Sequence, residues 1–243
     1  MRKNYLWFDL GYTLMKQKRE ILYQRFLREK SIYIPFHEIE KTYHLADKYF
    51  MREFPGVLNG DTHTFYPWYL GVLNNLLELR FDLFEQSQKI LNWKEQIHYY
   101  WTPFYFTVPI LKALKRESYK IGLISNWDFD ARKLLEEHGL LPFFDTIVIS
   151  SEVGIEKPDP QIFQYALKEA KVSAEESIYI GDNYYDDVVG SSKVGMESVL
   201  INRYGKKGIE ELSHDSIILS IQELPKLLNE KINNDQYTIK LEA

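Results

Sequence analysis

The sequence predicts an α/β fold, a doubly wound parallel sheet with a second, smaller all-helical domain inserted near its start, and three observations carry that expectation. Short apolar runs recur and each ends in polar residues, as buried parallel strands do where they meet their loops. Helical patterns lie between the later runs. One long stretch, residues 15–104, has helical spacing throughout and no clear strand.

Along the chain, the first strand is Asn4 to Leu10 (NYLWFDL), closed by Asp9 and Gly11. In the stretch that follows, apolar residues recur at helical spacing in the sets Tyr23, Phe26, Leu27; Ile39, Tyr43, Ala46, Phe50; Tyr69, Leu73, Leu76; and Ile90, Trp93, Ile97. These predict about four helices, with turns at Pro35, Pro55-Gly56 and Asn59-Gly60. The alternation then resumes. Helix Thr107 to Glu117 leads to strand Tyr119 to Ile124, which meets Ser125-Asn126. Helix Asp128 to His138, strand Thr146 to Ile149 and helix Pro160 to Lys171 come next. Strand Ser177 to Ile180 runs into Gly181-Asp182, followed by helix Tyr185 to Lys193 and strand Glu197 to Ile201. Residues 1–14 and 105–243 thus form the core domain and 15–104 the helical one. The polar end, from about Asn233, is expected to be a tail or a short edge strand. In such a sheet, ligands belong at the carboxyl ends of the strands.

Composition removes several classes of function. A chain of 243 residues suits one large domain or one domain with an insert. With 35 acidic against 30 basic residues, a net charge of -5 argues against a broad nucleic-acid-binding face. Without cysteine there is no disulfide, thiolate metal site or cysteine nucleophile, which fits a cytoplasmic protein. The run Tyr5 to Leu10 is too short for a signal peptide, and no apolar run reaches the roughly 18 residues a membrane span needs. The six histidines show no spacing of three or four, so a histidine metal site is not expected. Aromatic residues make up 15% of the chain, and 19 of them fall in residues 15–104, where large rings would build the core of a small bundle.

Four places carry polar groups suited to chemistry. Asp9, in Phe8-Asp9-Leu10-Gly11-Tyr12-Thr13-Leu14, is placed to attack as a nucleophile, to bind a metal, or only to form a turn. Ser125 offers a hydroxyl and a backbone N–H to an anion, with Asn126 beside it, or caps the helix near Asp128. Lys157, between rigid Pro158 and Gly154-Ile155-Glu156, can neutralise a phosphoryl group. The acids of Gly181-Asp182-Asn183-Tyr184-Tyr185-Asp186-Asp187 suit a hard cation such as magnesium, or else cap the helix that follows.

Taken in order, these positions resemble the four motifs of the haloacid dehalogenase superfamily, chiefly magnesium-dependent phosphatases. The resemblance covers Asn4 to Leu14 and about Thr107 to Ile201. It implies a Rossmann-like core with a helical cap that sets specificity, hinged near Met15 and Pro103. It also implies hydrolysis of a small phosphorylated substrate through an aspartyl-phosphate on Asp9. Ser125 and Lys157 would hold the phosphoryl oxygens, with Thr13, which braces the first loop, and Asn126 on the substrate side. Magnesium would be held by Asp9, the Gly11 carbonyl, Asp182 and Asp187 or Asp186. The expected partner is therefore a small molecule, with neither nucleic acid nor membrane.

The sequence departs from this pattern at two places. Phosphatases of the superfamily carry a second aspartate two residues after the nucleophile, as general acid and base, and this chain has Gly11 there. Tyr12 stands where glycine is usual. Gly11 also suits a metal-independent 2-haloacid dehalogenase, with Arg19, Arg25 or Arg28 binding the substrate carboxylate, but Asp182 would then repel the anion. A non-catalytic relative binding a phosphometabolite or a protein would have no need of the complete set Asp9, Ser125, Lys157 and Asp182.

Overall fold

A computed structural model describes residues 3–230, so the expectation for the polar end lies outside the described residues. The elements begin with β1 (Tyr5–Phe8), β2 (Met15–Gln17), α1 (Arg19–Glu29), α2 (Phe36–Glu53), α3 (Thr62–Leu76), α4 (Leu83–Glu95) and β3 (Trp101–Pro103). There follow α5 (Thr107–Arg116), β4 (Lys120–Ser125), α6 (Ala131–Glu137), β5 (Thr146–Ile149), α7 (Ser150–Val153) and α8 (Pro160–Ala170). Last come β6 (Ser177–Gly181), a π turn (Tyr184–Val188), α9 (Val189–Ser192), β7 (Glu197–Ile201) and β8 (Ile217–Ile218). The chain divides into two compact units. One takes residues up to 15, 103–205 and from 213; the other takes 16–102 and 206–212.

The first unit is a parallel sheet in the order β5-β4-β1-β6-β7-β8. From the central β1 the chain winds to β4 and β5 on one side, then returns to β6, β7 and β8 on the other. The strand order reverses beside β1, the position at whose carboxyl ends open α/β sheets bind their ligands. The strands are apolar along their length because both faces are covered, and β1 and β6 are buried at every position. Tyr5, Trp7, Ile124, Val148, Tyr179 and Met196 pack with Ile162, Phe163 and Ala166 of α8. The short pair Ile217–Ile218, too brief to give a periodic signal, extends the sheet along β7.

Trp7 explains a glycine within a strand. Gly122 lies opposite Trp7 in the β1–β4 register, and a methyl group there would sit 2.2 Å from Trp7 Cε3. The indole stacks on Tyr5 with ring centres 4.6 Å apart and donates to Ser177 Oγ at 3.3 Å.

The second unit is built on α1 to α4, and its aromatic residues form its core. Tyr23, Phe26, Tyr43, Phe50, Tyr66, Tyr69 and Trp93 are all buried. Pro35 directly precedes α2, and Gly56 turns the chain at φ +83° after it. Two expected positions differ: Leu76, on the last turn of α3, is 44% exposed, and Ile97 lies beyond the end of α4. Within the dense run Phe65 to Tyr69, Tyr66 and Tyr69 point inward. Trp68 stays partly exposed, edge-on to Phe54 at 4.3 Å. A charged group is also buried here: Arg19 donates to both carboxylate oxygens of Asp47, and Tyr69 donates to Asp47 Oδ1 at 2.6 Å. The stretch expected to lack strands contains one residue triplet at each end, β2 and β3, which pair as a two-stranded ribbon.

Gly122→Ala is expected to lower the stability of the protein by about 1–3 kcal/mol, because the added methyl overpacks against the fully buried Trp7 ring. The check is the urea midpoint; no change in it would show that Trp7 has room to shift.

Candidate active site

The register of the sheet brings the candidate residues level. Phe8 pairs with Leu123 on one side and Ile180 on the other, so Asp9, Ser125 and Gly181 all sit at the carboxyl edge. Asp9 N–H donates to Ile180 O at 2.9 Å, continuing the ladder to that edge. Beyond it the loop closes tightly: Leu14 and Met15 N–H both bond Leu10 O, and Tyr12 N–H bonds Met15 O at 2.7 Å. Tyr12 takes φ +52°, a left-handed conformation that disfavours a side chain by about 1–2 kcal/mol. Thr13 N–H donates to Gly11 O at 2.6 Å, which leaves that carbonyl a second lone pair. The Thr13 hydroxyl is buried with no hydrogen-bond partner.

Lys157 is the hub of the site. Its side chain is almost fully buried, and its ammonium meets Asp187 Oδ1 at 2.6 Å, Asp9 Oδ1 at 2.8 Å and the Tyr179 hydroxyl at 3.0 Å. Ser125 Oγ donates to the same oxygen, Asp9 Oδ1, at 3.0 Å. The reading of Ser125 as a helix cap does not apply, since the N-cap of α6 is Asp130. Asn126, expected on the substrate side, grips the backbone of Lys157. Its Nδ2 donates to Lys157 O at 2.9 Å and its Oδ1 accepts from Lys157 N–H at 2.8 Å. Both ends of its amide are therefore engaged.

The acidic loop after β6 divides its labour. Asn183, and not Asp182, caps the following turn by accepting from Tyr185 N–H at 3.1 Å. Asp187 turns back so far that a methyl group on Gly181 would lie 2.1 Å from its Oδ2, and that oxygen accepts from Asn183 N–H at 2.9 Å. Asp186 accepts from Asn183 Nδ2 at 2.8 Å. Of the two neighbouring acids it is Asp187 that joins Asp9 and Asp182, with oxygens from all three lying within 4.8 Å of one another. The wide π turn lets both Asp186 and Asp187 face inward.

The electrostatics follow from burial. Desolvation alone would lower the Lys157 ammonium, but the Asp187 and Asp9 carboxylates hold it well above the ordinary lysine range. Burial pushes the Asp186 carboxyl up to about 7. Asp9 and Asp187 share the one ammonium, and Asp182 brings a third carboxylate close to them. An oxygen-only, acidic, partly buried donor set of this kind fits a hard divalent cation.

Tyr179 was not legible as a site residue. Its hydroxyl accepts from Lys157 and donates to Ile124 O at 2.8 Å. The one available signal was a single polar-tipped ring in the aliphatic run Ser177-Ile178-Tyr179-Ile180, just before the acidic loop.

Comparison with known proteins places this geometry. The profile of haloacid dehalogenase-like hydrolases matches residues 8–201, from the end of β1 through β7. The chain belongs to that family. Among curated relatives of this haloacid dehalogenase-like hydrolase, a glyceraldehyde 3-phosphate phosphatase of Pyrococcus furiosus is 37% identical over 125 residues. That match covers 49% of this chain and 50% of the relative. The chain spans about half the length of the curated relatives it matches. A HAD phosphatase from Thermococcus onnurineus is similar in structure with a TM-score of 0.57 at 25% identity, covering 94% of this chain and 98% of that one. A 2-haloacid dehalogenase from Pseudomonas syringae is as similar, with a TM-score of 0.56 at 25% identity, covering 95% and 99%. Fold alone therefore does not separate the two chemistries of this haloacid dehalogenase-like family. Among the described residues, no helix is long and apolar enough to cross a membrane.

Lys157→Met would leave Asp9 and Asp187 facing each other without a cation. In chelator at neutral pH it is expected to cost about 3–5 kcal/mol in urea unfolding. Added magnesium should recover part of that loss. If the variant is as stable as the parent in chelator, the ammonium is not what holds these carboxylates together.

Proposed function

We propose that the protein is a magnesium-dependent phosphatase that hydrolyses a small-molecule phosphate ester through an aspartyl-phosphate on Asp9. The observation that carries this reading is the cluster Asp9, Asp182 and Asp187 at one sheet edge, with Lys157 and Ser125 on Asp9. The phosphatases among the similar proteins agree with it. A dehalogenase has no use for Asp182 and Asp187 beside its nucleophile, because they would repel the haloacid. Arg19, a candidate to bind such an acid, is paired with Asp47, and Arg25 lies over the Trp93 ring at 4.1 Å.

In this mechanism the Asp9 carboxylate attacks directly; burial pushes it above the ordinary carboxylate range, and the Lys157 ammonium beside it opposes that rise by favouring the charged form. Lys157 and Ser125 both meet Oδ1, which leaves Oδ2 to attack phosphorus. The P–O bond to the leaving group breaks with its electron pair, and the phosphoryl group is transferred to Asp9. Water then attacks phosphorus, the bond to Asp9 breaks, and inorganic phosphate and a proton are released. Magnesium, held by Asp9, Asp182, Asp187 and the Gly11 carbonyl, would neutralise phosphoryl charge. Lys157 and Ser125 stabilise the non-bridging oxygens as charge develops on them. Asn126 acts on the substrate side by fixing Lys157, and Thr13 by bracing the loop. The helical unit serves as the cap that sets specificity.

A panel of phosphate esters assayed with magnesium or with chelator, beside Asp9→Asn, tests the reading. Turnover that needs both Asp9 and the metal is expected; chloride release from a haloacid in chelator would replace phosphatase with dehalogenase.

Gly11 supplies no proton to the leaving oxygen, and such help is typically worth about 10²–10⁴-fold. Aryl and acyl phosphates should therefore be turned over far faster than alkyl phosphates, and Gly11→Asp should narrow the gap. Equal rates on both classes at saturating magnesium would show that another group already donates the proton.

A further inference from the structure

Resting on the phosphatase reading, we infer that Tyr179 is a positioning residue for Lys157. Its hydroxyl keeps the ammonium at the strand edge while Asp9 and Asp187 are occupied by the reaction.

An ammonium has three hydrogens. In this site they meet three acceptors: Asp187 Oδ1, Asp9 Oδ1 and the Tyr179 hydroxyl. Two of those acceptors change during turnover. Asp9 becomes an acyl phosphate and loses its carboxylate charge, while Asp187 shares its charge with the cation. Each change weakens the pull that holds Lys157 when the site is at rest. The phenol is the one acceptor left chemically unchanged from substrate binding to phosphate release.

Tyr179 is also fixed well enough to act in this way. It lies on β6, next to β1 in the sheet, with no exposure to solvent. Its ring packs edge-on to Phe163 with centres 5.3 Å apart. The hydroxyl proton is given to Ile124 O at 2.8 Å, so a lone pair remains for the Lys157 ammonium. Burial keeps the phenol protonated by raising it well above its ordinary range. Ile124 directly precedes Ser125, so the tyrosine ties the lysine to the strand that presents the serine. Asn126 fixes the lysine at its backbone and Tyr179 fixes it at its tip.

Tyr179→Phe keeps the ring and removes only the hydroxyl. On the best substrate in magnesium, kcat is expected to fall about 10- to 100-fold, the worth of a hydrogen bond to a charged group, while KM stays within about two-fold. Phe163→Leu loosens the packing of the same ring and keeps the hydroxyl; it should leave kcat close to that of the parent. The second readout is independent of turnover. A buried ammonium with three acceptors should give a slowly exchanging ¹H–¹⁵N signal, assigned to Lys157 by its loss in Lys157→Arg, and Tyr179→Phe should broaden or abolish it. In the parent protein that signal should also show a nuclear Overhauser contact to the Tyr179 ring, a measurement that needs no folded variant. An unchanged kcat or ammonium signal in Tyr179→Phe, an equal loss of kcat in Phe163→Leu, or no contact in the parent would each overturn the inference. Absence of Asp9-dependent turnover in the parent would instead overturn the phosphatase reading, and the ammonium signal would still decide the role of Tyr179.

Discussion

Folding the parallel sheet forces carboxylates together at one edge, and the Lys157 ammonium is what allows them to stay there. Asp9 directly follows β1, and Asp187 is turned back from the loop after β6 to lie beside it. Both are buried, and two buried carboxylates cannot remain ionised side by side without a positive charge between them. Lys157 reaches in from the segment before α8, and Asn126 fixes its backbone. Asp182 adds a third carboxylate whose oxygen lies within 4.8 Å of oxygens of the other two, an all-oxygen grouping of the kind that suits a hard divalent cation.

The sheet does more than carry these residues. Because β1 lies between β4 and β6, Ser125, Asp9 and the acidic loop come from adjacent strands, with spacing set by the ladder. Two glycines make the arrangement possible for different reasons. Gly122 makes room for Trp7 within the sheet, and Gly181 makes room for the returning Asp187 carboxylate. The first protects the register on which the site depends; the second admits an acid that a β-carbon would displace.

What could be read in the sequence depended on how local its cause was. The five longer strands and the helices α5, α6 and α8 showed in periodicity because each buries a regular face; α7 was too short to show, and the expected helix Tyr185 to Lys193 is a π turn followed by α9. Asp9, Ser125, Lys157 and Asp182 were legible because they close strands or stand beside prolines. Side-chain direction was not. Asp186 and Asp187 are adjacent and chemically identical, and only the π turn with Asn183 at its cap decides which of them faces Asp9. Nothing in the sequence reveals that the Asn126 amide meets a backbone 31 residues away. Tyr179 was hidden by its place in a buried strand, where an aromatic ring needs no further explanation. Ile217–Ile218, Met15–Gln17 and Trp101–Pro103 are too short to carry a period.

The first loop holds the sharpest conflict between local preference and the fold. Tyr12 is held in a left-handed conformation that glycine adopts freely, while the position before it, where the superfamily's phosphatases carry an acid, is Gly11. The loop tolerates the tyrosine because it is determined from both ends. Hydrogen bonds from Leu14 and Met15 to Leu10 close it, and the bond from Tyr12 N–H to Met15 O passes through the strained residue itself. The strain, on the order of 1–2 kcal/mol, is small beside the ladder bonds and the buried Leu10, Leu14 and Met15 that fix the loop. The loop is therefore held in one path from Asp9 through Gly11 to Met15, even though its sequence departs from the family pattern at both positions. Under the proposed mechanism, the geometry for attack and for holding a cation would survive that departure, because it rests on backbone. What would be lost is a titratable side chain next to the leaving group, so the consequence would fall on which esters can be cleaved and not on whether Asp9 is in place.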